Sequence, residues 1–213
     1  MDFLIRLVAW AVGSCLIAEF LGYLLHRLLH SDRVHILSRT HMQHHLLLYG
    51  PLGEQRPEAG YISATHDRPS LGSVGLEWIV PSGILLFICV LVLNLLHVRI
   101  AFQLTFVFFA VAWSFVTFSH VHDGMHIQGF WMARNPILRG WFLKARRRHD
   151  LHHQVINDEG LMDKNFGIGL SLFDRVFGTH LFEERPFNAV GFRAAFHRYS
   201  FLSSDALKKG GRP

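Results

Sequence analysis

The stretch FLIRLVAWAVGSCLIAEFLGYLLHRLLH, residues 3–30, runs without interruption from an apolar segment into a pair of histidines. Its apolar part, residues 3–25, is long enough to cross the ~30 Å hydrocarbon core of a bilayer as one helix. Similar segments occupy residues 78–98 and 100–119, with only Arg99 between them, which predicts a tight helical hairpin. The three segments indicate an all-α integral membrane protein with about three to four transmembrane helices. A buried helical core in a soluble protein is the alternative.

The composition agrees with a membrane protein made of one domain. Hydrophobic residues form 50% of the 213 residues and charged residues only 17%, whereas charge usually makes up about a quarter of a soluble domain. The length suits a single domain over residues 1–213, and the polar tail 204–213 is expected to be disordered. Cys15 and Cys89 are the only cysteines, and both lie in apolar segments. This excludes a disulfide framework and a thiolate metal site.

The basic residues indicate how the chain is oriented. Three spans place residues 26–77 and 120–213 on one side of the membrane. These two segments hold all of the 21 Lys and Arg residues except Arg6 and Arg99. Because cytoplasmic segments carry the excess of Lys and Arg, both are expected in the cytoplasm, where they would form a helical cap.

Four short clusters in that cap contain ten of the 16 histidines: HRLLH (26–30), HMQHH (41–45), HDGMH (122–126) and HDLHH (149–153). Residues three or four positions apart share a face of a helix, so each cluster would present its imidazoles together. One HxxxH pair is equally typical of a solvated helix face, but four clusters on one side of the membrane favour a metal site. A catalytic zinc ion takes about three protein ligands, so ten histidines predict two ions. The ten are His26, His30, His41, His44, His45, His122, His126, His149, His152 and His153.

Six further histidines are not assigned to the metal site. Those that stand alone are expected at the surface or in hydrogen bonds: His35, His66, His97, His180 and His197. His120 lies two positions before His122 and therefore off the helix face that His122 and His126 share.

Taken in order, the four clusters with NFG (165–167) and SLFDRVFGTH (171–180) resemble the fatty acid hydroxylase/sterol desaturase superfamily of membrane non-haem di-iron enzymes. The likeness covers the chain from His26 to about His180. The third cluster is similar to that of carotenoid hydroxylases, whereas NFG and DRVFGT resemble the lipid and sterol branch. The resemblance implies two Fe ions, O2 as co-substrate, and hydroxylation or desaturation of a C–H bond in a lipid such as a fatty acyl chain or sterol. A carotenoid ring is the alternative substrate. Purified protein is expected to carry zinc in some preparations, since histidine sites accept both metals.

Four polar residues are candidates for supporting the ligands, and no catalytic residue beyond the ligands is predicted. Glu19 lies within the first span, where an acid is costly and usually functional, seven positions before His26. Glu19 could support a ligand, line a substrate channel or take part in helix packing, and each role would explain an acid within this span. Asp123 and Asp150 neighbour cluster histidines and could orient imidazoles through the second ring nitrogen. Asn165 is added on the resemblance alone.

The sequence also bears on partners and on rival functions. Oxygen activation needs electrons, yet the chain has no glycine-rich nucleotide fingerprint, so a separate electron-donor protein is implied. The run Arg146, Arg147 and Arg148 could dock an acidic donor or lie against the membrane surface. A histidine-rich metal transporter or metal-binding protein is the main rival, but transporter sites sit near the bilayer midplane, away from these clusters. The absence of HExxH disfavours zinc hydrolysis. Nucleic-acid binding is disfavoured as well, because no basic helix stands apart from the membrane region.

Overall fold

The computed structural model describes residues 2–50, 55–65, 70–71 and 74–202. The expected disordered tail at 204–213 and His66 lie outside the described residues.

Helices make up nearly all of the regular structure in these ranges. In chain order they are α1 (Asp2–Leu29), α2 (His35–Gln43), α3 (Glu58–Thr65), α4 (Leu76–Leu95), α5 (Ile100–Phe115), α6 (His122–His126), α7 (Arg139–Gln154), α8 (Leu172–Val176) and α9 (Ala189–Arg198). π-helical turns over His44–Leu48 and Val116–Val121 continue α2 and α5, and Trp131–Ala133 form a 3₁₀ turn. Two short strands, Ser70–Leu71 (β1) and Val74–Gly75 (β2), pair antiparallel.

Three helical stretches are long and apolar enough to cross a membrane: Asp2–Leu29, Trp78–Leu95 and Ile100–His126. The chain is therefore an all-α integral membrane protein, as the sequence predicts. The second span ends earlier than its predicted end at residue 98, because the chain turns after Leu95 and His97 adopts a φ of 53°. The third is longer than predicted, since a π-helical turn joins α5 to α6 without a break.

A fourth spanning helix is absent from the part of the chain that the structure describes. Residues 130–143, where Trp131 and Trp141 flank MARNPILRG and a fourth membrane-embedded segment would be expected, contain a 3₁₀ turn and the first residues of α7. Three spans, the lower number predicted, therefore account for the bundle.

The spans pack loosely on one another and leave much apolar surface outward. Ala18 of α1 and Phe106 and Ala110 of α5 form the buried contact between these two helices. Outward-facing residues such as Phe87 and Phe108 are each 67% exposed, which in a membrane means contact with lipid. Burial of side chains therefore runs opposite to that of a soluble bundle and agrees with a bilayer around α1, α4 and α5.

A close approach between α1 and the π-helical turn after α5 holds the two at the histidine end of the bundle. Gly22 lies directly against the ring of Phe118, and a Cβ at position 22 would overlap that ring. Because α1 comes this close, the histidines at its end lie at the same end of the bundle as those carried by the segment after α5.

Small hydrophobic cores join the helices of the cap, and two of them hold the elements that carry histidines. One joins α2 to α9 through Met42, Leu46 and Tyr199. The other joins the α6 region to α7 through Met125 and Phe142. These cores fix the helices that carry the second, third and fourth histidine clusters.

Candidate metal centre

Nine of the ten predicted histidines come together in two buried groups. In each group, one ring nitrogen per histidine lies within 4.8 Å of every other. The first group is His26, His30, His41, His45 and His152, and the second is His44, His126, His149 and His153.

The HxxHH clusters supply histidines to both groups. In HMQHH, His41 and His45 are one helical turn apart and join the first group, while the adjacent His44 points into the second. In HDLHH the division is reversed, since His152 joins the first group and His149 the second. Adjacent histidines on a helix point in different directions, so a doubled histidine can serve two neighbouring sites.

The two groups touch each other. The rings of His45 and His153, one from each group, stack with centroids 3.9 Å apart. Two ions held by these groups would therefore be neighbours within one site.

Within each group the Nε2 atoms converge at distances that suit a shared ion. His41 Nε2 lies 3.0 Å from His30 Nε2 and 3.1 Å from His45 Nε2 in the first group. In the second group His126 Nε2 lies 3.0 Å from His149 Nε2. Two nitrogens bound to one ion at about 2.1 Å and at right angles would be about 3.0 Å apart.

Backbone carbonyls fix which nitrogen of several rings is free. The Nδ1 atoms of His26 and His152 donate to the carbonyls of Phe166 at 2.6 Å and Lys164 at 2.5 Å. Since a carbonyl only accepts, Nδ1 carries the proton and Nε2 of the neutral ring holds a lone pair. The two Nε2 atoms nevertheless lie 3.1 Å apart, and two facing lone pairs are unfavourable unless a cation lies between them. The residues present therefore fit a bound metal ion.

Burial keeps the rings outside the spans neutral, as ligands must be. It lowers the pKa of His30, His41, His45, His149 and His153 well below the ordinary value. The pKa of His152 is lowered to about 4, again mainly by burial. Removing an imidazolium from water is costly, and the other histidines would repel its charge. Neutral imidazole is the form that binds Fe or Zn.

His122, the tenth predicted ligand, lies at the rim of the second group. Its ring centroid is 4.8 Å from that of His149 and 5.1 Å from that of His126. Its side chain is 16% exposed, and its Nδ1 lies 3.5 Å from the carboxylate of Asp123. It is next to the converging Nε2 atoms without being one of the four in that group.

A loop over residues 164–167 orients two histidines of the first group, and Asn165 holds this loop in place. Asn165 adopts a φ of 56°, and its side-chain Nδ2 donates to the carbonyls of Arg148 at 3.1 Å and Leu181 at 2.9 Å. Its neighbours on either side are the residues whose carbonyls accept from His26 and His152. Asn165 thus acts on these two histidines through the backbone beside it.

Two residues that support the site have no assigned role at the sequence level. Asp174 is fully buried and accepts from the amides of Phe166 at 2.8 Å and Gly167 at 2.9 Å. The carbonyl of Tyr49 accepts from His153 Nδ1 at 2.9 Å. The DRVFGT segment that contains Asp174 is a recognisable motif in the sequence. A backbone carbonyl such as that of Tyr49 has no sequence signal.

The three predicted acids have different environments. Asp123 accepts a hydrogen bond of 2.5 Å from the hydroxyl of Tyr61 and lies beside His122. Burial raises the pKa of Asp150 to about 6, and the charge of Arg146 opposes that rise. Glu19 is buried, and its carboxylate accepts from the indole of Trp113 at 2.8 Å. The carboxylate also accepts from the backbone amide of Leu170, so Glu19 joins α5 to the segment that follows the loop 164–167.

The arginine run is not an exposed basic surface. Arg146 donates to the carbonyls of Gly124 at 2.9 Å and Ile127 at 3.3 Å. Arg148 is buried, and only Arg147 is exposed, where it lies 3.5 Å from Glu184. Two of the three arginines are therefore part of the cap structure.

The histidines set aside at the sequence level stay apart from the two groups wherever the structure describes them. His120 Nε2 accepts from the indole of Trp131 at 3.3 Å. His35 and His197 are exposed, and His97 forms part of the turn between α4 and α5.

An apolar cavity of about 310 Å³ lies between the three spans and ends next to the first group. At its deep end it is lined by Cys89, Phe106 and Ala110, and at its other end by Trp78 and Phe118. The Trp78 ring centroid is 5.8 Å from those of both His26 and His41. Trp78 therefore lies against both the cavity and the first histidine group.

Comparison with known proteins identifies a family for most of the chain. The family model described as fatty acid hydroxylase matches residues 11–179, which include all four histidine clusters. No curated protein and no solved structure matches the chain significantly.

Proposed function

The chain belongs to the fatty acid hydroxylase family, and we propose that it is a membrane oxygenase that hydroxylates a C–H bond of a lipid with O2 and external electrons. The observation that carries this proposal is the pair of adjoining histidine groups placed at the end of an apolar cavity.

The two groups are the proposed holders of two iron ions. When bound, this pair of ions supplies activation of O2 and oxidation of an unactivated C–H bond. The proposed ligands are the nine converging histidines, with His122 at the rim of the second group as the tenth. Neutral nitrogen donors in this number suit iron or zinc, so purified protein can carry either.

The chain's own residues would hold the rings and keep water away. The carbonyls of Lys164, Phe166 and Tyr49 hold the Nδ1 protons of three ligands, so that their Nε2 lone pairs stay directed inward. All nine histidines are buried, which limits the entry of bulk water beside the reacting lipid. Positioning of this kind usually determines both metal affinity and activity.

The cavity would hold the hydrocarbon tail of the substrate. Its lining is almost wholly apolar, and it lies between helices that face lipid. Trp78 is then the residue that sets how far the tail reaches towards His26 and His41. A fatty acyl chain or a sterol is the proposed substrate class, and a carotenoid ring is the alternative suggested by HDGMH.

The proposal includes a separate electron donor and a cytoplasmic site. Residues 26–77 and 120–213 carry nearly all the basic residues, which favours the cytoplasm for the histidine side. Since Arg146 and Arg148 are used inside the cap, an acidic donor would meet exposed cations such as Arg139, Lys144 and Arg147.

The proposal is tested by supplying purified protein in lipid vesicles with iron, a reducing system and ¹⁸O2. Lipids extracted from the vesicles should contain a product with one added ¹⁸O, detected by mass spectrometry, and His152→Ala protein should form none. His197→Ala is the matched control and should retain turnover, because His197 is exposed and outside both groups.

Other outcomes point to other functions. Oxygen that comes from water would contradict an oxygenase. An alkene with no added oxygen would indicate desaturation at the same site. Movement of metal into the vesicles without lipid oxidation would indicate the transporter alternative.

A further inference from the structure

Residues 166–179 form a loop that leaves the histidine site and returns to it. The backbone amide of Asn165 donates to the carbonyl of Thr179 at 2.9 Å, which closes the neck of the loop. Inside the neck, Asp174 accepts from the amide of Phe166 and from the hydroxyl of Thr179, both at 2.8 Å. The loop is thus tied at its base and projects as a unit.

The loop projects along the spans, away from the cap. The amide of Leu170 donates to Glu19 Oε1 at 2.6 Å, and the indole of Trp113 donates to Glu19 Oε2 at 2.8 Å. Glu19 precedes His26 by seven residues, which is about 10 Å along a helix. The loop therefore reaches about 10 Å past the level of His26 towards the middle of the bundle.

At its deepest point the loop is wedged between α1 and the end of α5. A Cβ at position 169 would lie 2.9 Å from Thr117 Cγ2 and 3.1 Å from Glu19 Oε2. Glycine at this position lets the backbone come within bonding distance of the carboxylate. Trp141 also reaches the loop, because its indole donates to the Gly169 carbonyl at 3.2 Å.

The returning half of the loop, which contains α8, packs its aromatic side on α1. Phe173 lies over Phe20 with ring centroids 5.0 Å apart, and Phe177 stacks on Tyr23 at 5.3 Å. These contacts are on the part of α1 that precedes the histidines. They hold α8 alongside the span.

The outer side of the loop is apolar and continuous with the lipid-facing surface of α1. Leu172 is 45% exposed, Val176 65% and Phe177 46%. On α1, Leu24 and Leu28 lie nearer the histidine end than Phe20 does and are still 40% and 41% exposed. The lipid-facing surface thus extends beyond the level at which the loop packs.

We propose that residues 167–177 are a re-entrant segment inserted in the histidine-side leaflet of the membrane, anchored by the Glu19 carboxylate. Hydrocarbon offers no partner to a backbone amide, so irregular backbone at this depth needs acceptors from the protein. Glu19 supplies one to Leu170, which explains why an acid lies within a span.

The one cation in this segment is compatible with insertion. Arg175 is exposed, and it lies within electrostatic reach of His180, just outside the neck of the loop. Its long side chain can carry the guanidinium to the headgroup region while the stem stays in lipid.

The anchor connects the membrane to the metal site. The loop begins at Phe166, whose carbonyl holds His26 Nδ1 at 2.6 Å. Glu19 is therefore a positioning residue, which acts on a ligand of the first group through the loop.

The depth of the segment is measured with a nitroxide label on Val176→Cys, in protein whose Cys15 and Cys89 are replaced by alanine and which is reconstituted in vesicles. The nitroxide at position 176 should collide often with O2, which is enriched in lipid, and rarely with a water-soluble nickel complex. A label on Leu24→Cys, on the lipid-facing surface of α1, should behave in the same way. A label on Glu183→Cys is the aqueous control, since Glu183 is exposed on the cap. If the label at 176 resembles the one at 183, the segment lies in water and the proposal is wrong.

The anchor is tested by two substitutions in the protein labelled at position 176. Glu19→Leu should raise the collision rate of the label with the nickel complex and lower the amount of bound metal. Glu19→Gln keeps an acceptor oxygen and should leave the collision rate and the bound metal unchanged. A Glu19→Leu protein with unchanged label depth and unchanged metal would exclude the anchoring role. These measurements need no turnover, so they remain informative if the proposed oxygenase reaction is wrong.

Discussion

At the scale of single residues, the site depends on imidazole Nε2 atoms that carry no proton, because the proton of each neutral ring is on Nδ1. His26 and His152 each use Nδ1 as a donor to a carbonyl, and their Nε2 atoms face each other at 3.1 Å. A buried pair of lone pairs of this kind costs free energy in the absence of a cation, so the protein should be more stable with its metal than without it. Stability and metal binding are coupled through these rings.

The first prediction concerns two ligands on α7. Replacing His152 and His153 by alanine should remove one ligand from each histidine group, and bound metal measured by mass spectrometry should fall from two ions per chain to less than one. His35→Ala plus His197→Ala is the matched control, because both of those rings are exposed. An unaltered metal content in the His152→Ala, His153→Ala protein would contradict the assignment.

The second prediction concerns Asp174, which accepts from two backbone amides and a hydroxyl at the neck of the loop 166–179. Asp174→Ala leaves these buried donors without their partner, and each lost partner costs about 1–3 kcal/mol. The thermal midpoint in detergent should therefore fall by several degrees. Bound metal should fall as well, since the loop that orients His26 loses its tie.

Glu183→Ala is the control for Asp174→Ala, because Glu183 is an exposed acid nine positions further along the chain. If both variants melt at the same temperature as the unaltered protein and carry the same metal, Asp174 does not hold the loop.

At the scale of elements, hydropathy was enough to predict the spans because a bilayer demands about 20 apolar residues in sequence. The helix ends were less predictable. The turn after Leu95 and the π-helical continuation to His126 depend on local backbone geometry and tertiary contacts. The position of residues 166–179 beside the spans was beyond prediction, since the loop is held there by a hydrogen bond from Leu170 to Glu19, which is 151 positions earlier in the sequence.

The histidine clusters show the same division between what spacing predicts and what it leaves open. Helical spacing predicts that His26 and His30, or His149 and His153, face the same way. It does not predict that HMQHH and HDLHH each divide their rings between two groups, because that depends on how α2 and α7 cross. The carbonyls that hold Nδ1 atoms belong to the backbone and have no sequence signal.

The third prediction belongs to the cavity between the spans. A fatty acid with a photoreactive diazirine in mid-chain should cross-link to the cavity-lining side of α4, at Leu85, Leu86 and Cys89, more than to the outward-facing Phe87 and Ile88. An apolar tail inside the cavity is within reach of the first set only. Cross-linked peptides are identified by mass spectrometry.

Filling the cavity provides the control for that experiment. Ala110→Phe places a ring in the cavity and should reduce cross-linking to its lining, whereas Ala9→Phe, on an exposed part of α1, should not. Equal labelling of both sides of α4 in every variant would mean that the cavity does not bind lipid tails.

At the scale of the whole molecule, the apolar surface and the charges describe one orientation. Most of the exposed large apolar residues lie on α1, α4 and α5, while exposed cations such as Arg139, Lys144 and Arg185 lie on the cap. Because the chain crosses three times, its two termini must lie on opposite sides of the membrane. The charge bias then decides which side carries the histidines.

The last prediction follows from that bias. In a bacterial inner membrane, alkaline phosphatase fused after Pro213 should be inactive and a fluorescent protein fused there should be bright, because Arg6 and Arg99 are the only basic residues opposite the cap. A fusion truncated after Arg99 is the matched control, since the chain has then crossed twice and the phosphatase should be active. The reverse pair of activities would place the histidine groups outside the cytoplasm, and a cytoplasmic electron donor could then not reach them. Activity of the phosphatase at both positions would mean that the third span does not cross.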